Sequence, residues 1–324
     1  MKTARGVAAV LLMATALWAP SPASAQEYPV RPVRIVTGGV GTFHDIVARQ
    51  LADKLSERWG QPVVVENQGA AALTIATGMV AKAAPDGYTL GLLDRSALAV
   101  APHLYKSVPY DPLKDFSPIT LVAAASTMLV AHPSVPAATL SEFLAYAKRQ
   151  PEGLFFATAG PGTNNHVAME LFKHATSLNA TPVHYKGGGA STVAMVSGEV
   201  KEGFGAVPSV LPQVKAGKLK AYLVTSPQRF PGAPEVPTAA EAGLPDLELE
   251  FWIGMLAPAG TPPGVITKLN RDIADVMRTP SMQATLLAQG ARAATGTPAQ
   301  FADYISGEST KMKRLIELTG MRTQ

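Results

Sequence analysis

Two stretches of this chain carry the groups needed to hold an acid by its oxygens. Gly39, Val40, Gly41, Thr42, Phe43 and His44 form one, and Thr158, Ala159, Gly160, Gly162, Thr163, Asn164 and Asn165 form the other. In each, glycines follow an apolar run and precede a helical pattern. A residue without a Cβ lets a ligand oxygen reach the backbone. The helix start behind it exposes unpaired N–H groups and a partial positive charge, which suits a carboxylate or a phosphate. Two further turns have the same make-up: the segment with Ala70, Ala71, Ala72 and Thr74, and the KGGGAS segment with Gly188. One glycine turn is weak evidence, whereas four of them after successive strands point to an anionic ligand in a cleft.

Other chemistry finds little support. The chain has no cysteine, which removes thiol catalysis and thiolate metal sites. No G-x-S-x-G elbow, S-x-x-K pair, H-E-x-x-H helix, P-loop or complete G-x-G-x-x-G fingerprint occurs. The six histidines show no metal-ligand spacing. The reading is therefore a non-enzyme that needs no metal or cofactor. The basic residues are scattered, so nucleic acid is not expected as a partner.

The elements that must position these turns follow from periodicity. A strand at Val33 to Val36 leads through the first turn to a helix over His44 to Arg58, where Val47, Leu51 and Leu55 mark one buried face. A second strand, Val63 to Val65, precedes a helix over Leu73 to Lys82, and a third strand ends near Asp94. A second series has strands near Met128 to Ala131, Leu154 to Ala157 and Pro182 to Tyr185, and helices over Leu140 to Lys148, His166 to Ala175 and Ala190 to Ser197. Alternation of this kind predicts parallel pairing with right-handed crossovers. The expected fold class is α/β with two lobes, each a mostly parallel sheet flanked by helices. The chain is expected to cross between lobes near residues 125 and 251.

Residues 1–25 read as an export signal. Lys2 and Arg5 precede an apolar run of about 14 residues, too short to span a bilayer, and Ala23-Ser24-Ala25 forms a small-residue cleavage pattern. Cleavage is expected after Ala25, leaving a periplasmic protein. Lys2 and Arg5 leave with the signal, so the 28 basic and 24 acidic residues of the full chain reduce to a net charge of about +2.

The segments YPVRPVRIV, DIVARQLADKLSERWGQPVVVEN, AKAAPDGYTL, YDPLKDFSPIT, ATAGPGTNNHVAMELF, HYKGGGA, VPTAAEAGLP and APAGTPPGVITKLN occur in this order from residue 28 onward. Together they resemble the periplasmic solute receptors of tripartite tricarboxylate transporters, the Bug family, over essentially the whole chain past the signal. The resemblance implies a type II periplasmic binding protein. Lobe 1 would comprise 26–124 and 252–324, and lobe 2 would comprise 125–251. It further implies a monomer that closes on a small organic carboxylate and delivers it to the membrane components of such a transporter. By the same resemblance the ligand is held by Gly39 to Asp45 and Gly69 to Thr74 of one lobe. From the other lobe come Thr158 to Asn165, Gly188, Ala206 and Ser209.

Where the family pattern is close to P-P-G-G-G-T-D, this chain reads G-V-G-T-F-H-D, placing Phe43 on a glycine position and His44 on the threonine. Asp45 keeps its place and is expected to cap or orient the helix start. After the third strand the chain has Asp94-Arg95-Ser96 instead of small hydroxyl residues. Arg95 either grips a carboxylate through two parallel hydrogen bonds or lies solvated at the surface. Phe43, with His44, is expected to offer a flat face to an aromatic dicarboxylate such as terephthalate, with inward packing of Phe43 as the alternative. A small aliphatic di- or tricarboxylate of the succinate, citrate or glutamate kind is the competing ligand class. An enzyme acting on an organic acid is the competing function, and an ABC-type receptor a weaker third.

Overall fold

A computed structural model describes residues 28–68 and 73–320. The segment read as an export signal, and the candidate contacts Ala70, Ala71 and Ala72, lie outside the described residues. The first unit is β1 (Val33–Thr37), α1 (Phe43–Trp59), β2 (Val63–Asn67), α2 (Thr74–Ala81) and β3 (Thr89–Asp94). A π-helical turn at Ser96–Val100 then runs into the four-residue α3 (Ala101–Leu104). Next come β4 (Phe116–Ala131), α4 (Leu140–Ala147), β5 (Leu154–Thr158), α5 (Asn164–Thr176) and β6 (Ala180–His184). They are followed by α6 (Gly188–Ser197), β7 (Glu202–Ala206), α7 (Val207–Lys215) and β8 (Lys220–Val224). The chain ends with β9 (Glu250–Pro258), α8 (Pro263–Met277), α9 (Pro280–Ala288), β10 (Ala291–Ala293) and α10 (Pro298–Thr319).

All ten strands belong to one curled sheet, in the order β2-β1-β3-β9-β4-β7-β5-β6, with β8 and β10 also pairing β4. The strand–helix–strand units pair parallel, β1 with β2 and β3 in one half, and β5 with β6 and β7 in the other. The strands that join the halves run antiparallel to their neighbours: β9 against β3 and β4, and β4 against β7 and β8. The sheet is thus mixed where the chain crosses.

The strand expected near Met128 to Ala131 is the end of a 16-residue strand. Its first part, Phe116 to Ser126, pairs with β9, and its last part, Thr127 to Ala131, pairs with β7. The two halves of the molecule therefore share one continuous strand.

One buried layer lies within the first half, and another runs through both halves. Val33, Ile35, Val47, Leu51 and Leu55 pack with Leu90, Leu92, Ile253 and Leu269 in the first. In the second, Phe143, Phe156, Phe172, Phe204 and Tyr222 form an aromatic cluster, with Phe143 and Tyr222 centroids 4.9 Å apart. The C-terminal helices return to the first half, where Phe301 and Tyr304 of α10 pack edge-on against the buried Trp252 of β9. Gly254 fits beneath this layer only because it lacks a side chain, since a Cβ there would lie 2.0 Å from Phe301 Cζ. Gly254→Ala is expected to destabilise the protein by about 2 kcal/mol through overpacking. Urea unfolding checks this, and an unchanged midpoint would refute it.

Candidate functional site

The first glycine turn is organised by one carboxylate. Asp45, on the first turn of α1, is buried and accepts hydrogen bonds from Gly41 N–H (2.9 Å) and Asn67 Nδ2 (2.8 Å), with Arg49 Nε at 2.8 Å. Asn67 Nδ2 also donates to Gly38 O (2.7 Å), tying the turn to the end of β2. Burial works against the charge of Asp45, but the bonds from Gly41, Arg49 and Asn67 outweigh it and hold the carboxyl below the usual carboxylate range. Thr42 caps the helix, its Oγ1 donating to Gly39 O and accepting from Asp45 N–H. Gly41 has φ +75°, a conformation that favours glycine. The amides of Phe43 and His44, first in the helix, have no hydrogen-bond partner among the described residues.

Both rings of this turn pack against Phe251, and only His44 also reaches the cavity. His44 Nε2 lies 3.2 Å from Asp94 Oδ2 at the end of β3, and its ring meets Phe251 edge-on at 5.4 Å. Phe43 is half-buried and also packs edge-on against Phe251, at 6.1 Å. It does not line the cavity described below. Phe43 thus takes the inward-packing alternative, its partner being Phe251 of β9.

Asp94 and Arg95 close the same edge. Asp94 Oδ1 accepts from Ala97 N–H at 2.9 Å, which starts the π-helical turn. Arg95 is 1% exposed, so the solvated alternative does not hold. Its Nη2 donates to Asn164 Oδ1 at the start of α5, a bond between the two halves of the molecule. Its Nε and Nη1 have no partner among the described residues. Burial disfavours the guanidinium charge and lowers its pKa, and Glu308 and Asp94 offset this only in part.

The second glycine turn is held by histidines. Gly162 N–H donates to His166 Nδ1 (3.1 Å), and Thr163 Oγ1 donates to Gly160 O (2.7 Å). Thr158 Oγ1 and His184 Nδ1 are 2.6 Å apart, and the His184 ring stands edge-on to His166 at 4.9 Å. Because Nδ1 of His166 accepts, the ring is neutral with its proton on Nε2, which lies 3.8 Å from Glu170. Burial, with His184 and Lys173 nearby, pushes its pKa down to about 4.

These two turns face each other across a cavity of about 210 Å³. Of the residues expected from sequence, Gly39, Thr42, His44, Ser96, Gly162 and Thr163 line it. Val40 points outward and is 76% exposed. Gly41, Phe43, Thr74, Arg95, Thr158, Ala159, Gly160, Asn164, Asn165, Gly188, Ala206 and Ser209 are not in its lining. Thr158 and the Gly162 amide are engaged by their own chain, whereas Asn164 accepts from Arg95 through Oδ1 and its Nδ2 donor has no partner among the described residues. Ala206 and Ser209 flank Val207 and Pro208, which abut Gly290.

Sequence reasoning missed the opposite wall. Val100, Ala101, Leu104 and Tyr105 supply an apolar side, Leu73 and Pro161 extend it, and Gly38 and Asp94 complete the polar edge. A Cβ at Gly162 would lie 2.8 Å from Leu104 Cδ2, so the second-lobe turn sits directly on the first-lobe wall. The signal available in the sequence was the apolar run ALAVAPHLY after Asp94, which has no clear helical period.

Comparison with known proteins places this geometry. The family described as tripartite tricarboxylate transporter family receptor matches residues 47–321. Among solved structures, the chain is similar to Rpa4515 of R. palustris with adipate, at 30% identity and TM-score 0.80, covering 91% of this chain and 99% of that one. It is similar to the periplasmic binding protein BugD at 32% identity and TM-score 0.77, covering 92% and 100%. It is also similar to MatC from Rhodopseudomonas palustris with bound malate, at 31% identity and TM-score 0.76, covering 89% and 100%.

Proposed function

The chain belongs to the tripartite tricarboxylate transporter family of periplasmic solute-binding receptors, and on that premise we propose that it captures a small organic dicarboxylate between its lobes. The observation that carries this reading is the convergence of two helix starts on one cavity. Gly39 and Thr42 of the first lobe and Gly162 and Thr163 of the second lie at the positive ends of α1 and α5, on opposite sides of the same space. Each end favours an anion without contributing a full charge. A diacid bridges them, one carboxylate at each lobe, while its middle rests on Val100, Leu104 and Tyr105.

Among diacids, the aliphatic acids of the adipate and malate kind lead, since relatives of about this similarity hold them. A ring dicarboxylate such as terephthalate is the second reading. It rests on Tyr105 as a stacking surface, because Phe43 is committed to Phe251.

The lobes divide at residues 124/125 and 251/252 in this proposal. Its support is that Ala123 and Ala124 of β4 pair with β10 while Thr127 to Ala131 pair with β7, which puts the crossing at Ala125 and Ser126, beside Phe251 and Glu250 of β9. The ligand shifts the population from an open to a closed arrangement, and the closed receptor, a monomer, docks with the membrane components of its transporter.

A thermal-shift panel of aliphatic and aromatic dicarboxylates, with arginine as a cationic control, tests the ligand class. Dicarboxylates are expected to raise the melting temperature in a concentration-dependent way, and arginine is not. If no dicarboxylate does so, the proposal fails. Incubation with the same acids is expected to yield no product, in keeping with a receptor.

A further inference from the structure

We infer that Asp94 makes this receptor select acids that carry a hydroxyl or ammonium donor beside a carboxylate, over plain diacids of the same length. The inference rests on the dicarboxylate reading above and names the ligand more narrowly. Asp94 ends β3, is 4% exposed, and lines the same cavity as the two helix starts. A buried carboxylate there opposes a bare anionic ligand.

Its own partners use only part of its accepting capacity. Oδ1 takes the Ala97 N–H and Oδ2 faces His44 Nε2, whereas a carboxylate offers about four acceptor positions. The neighbouring guanidinium attracts Asp94 through space but directs Nη2 to Asn164, so it fills none of these acceptor positions. A ligand hydroxyl or ammonium fills the spare positions and turns the repulsive group into an attractive one. A plain diacid leaves the repulsion in place, and this contrast is what rejects it.

Calorimetric titration of the purified receptor with matched acids tests this. The pairs are malate or aspartate against succinate, and 2-aminoadipate against adipate. In whichever pair binds, the donor-bearing acid is expected to bind about tenfold tighter, the scale of one charge-assisted hydrogen bond. Asp94→Asn keeps an acceptor for Ala97 N–H and is expected to shrink that ratio below about threefold. Should Asp94→Asn fail to fold, the wild-type ratio decides alone. Equal affinities within a pair, or a ratio unchanged by Asp94→Asn, overturns the inference and leaves the dicarboxylate reading standing. Absence of binding by every acid, with the protein folded by circular dichroism, removes both.

Discussion

Lowering the pH from 7 to 5 is expected to cost the wild-type protein about 2 kcal/mol more stability than it costs the His166→Asn variant. In the fold His166 is neutral, its Nδ1 accepting from Gly162, and its pKa is pushed from 6.5 down to about 4. The unfolded chain takes up this proton near pH 6.5, while the native state refuses it until about pH 4. The contribution is therefore complete above pH 6.5 and is lost as the pH falls through that interval. Asparagine keeps an oxygen to accept from Gly162 but does not titrate there. Other titrating groups, such as Glu202, whose pKa burial raises to about 7, act in both proteins and cancel in the difference. Urea unfolding of both at pH 7 and pH 5 gives the measurement, and equal losses would refute the role given to His166.

The second large effect lies in the first glycine turn. Asp45→Ala removes the acceptor for Gly41 N–H and Asn67 Nδ2 and the partner of Arg49. Bonds to a charged, buried acceptor are worth more than neutral ones, so a loss of about 3 kcal/mol of stability is expected, with Arg49 discounted because it is half-exposed. Dicarboxylate affinity is expected to fall at least about tenfold, since Gly39 and Thr42 line the cavity and depend on this carboxylate for their positions. Asp45→Asn, which keeps one acceptor, is expected to fall between. Calorimetry and urea unfolding on the same samples check both numbers. An Asp45→Ala protein that binds like wild type would show that the turn holds itself.

How much of this was legible in the sequence depended on the range of the interaction. Helix α1 was readable because Val47, Leu51 and Leu55 recur on one face, and all three are buried. The glycine turns were readable because a turn is a local matter. The length of β4 was not, since Ala123, Ala124, Ala125 and Ser126 interrupt any alternation just where the strand passes between lobes. The orientation of Phe43 was set by Phe251, and the burial of Arg95 by Asn164 and the C-terminal helix. Contacts made between segments so distant along the chain leave no pattern within either segment. The apolar wall at Val100 to Tyr105 was missed for another reason. A π-helical turn passing into four α-helical residues has too few repeats to show a period.

The long shared strand also governs the order of events during biogenesis. Every strand that pairs with β4 comes later in the chain, the earliest beginning at Glu202 and the last ending at Ala293. Phe116 to Ala131 therefore waits, edges bare, until most of the polypeptide has been synthesised. Neither half can be completed earlier, and pairings over such separations form slowly. A newly made chain of this design cannot close its sheet across the two halves until its last third is available.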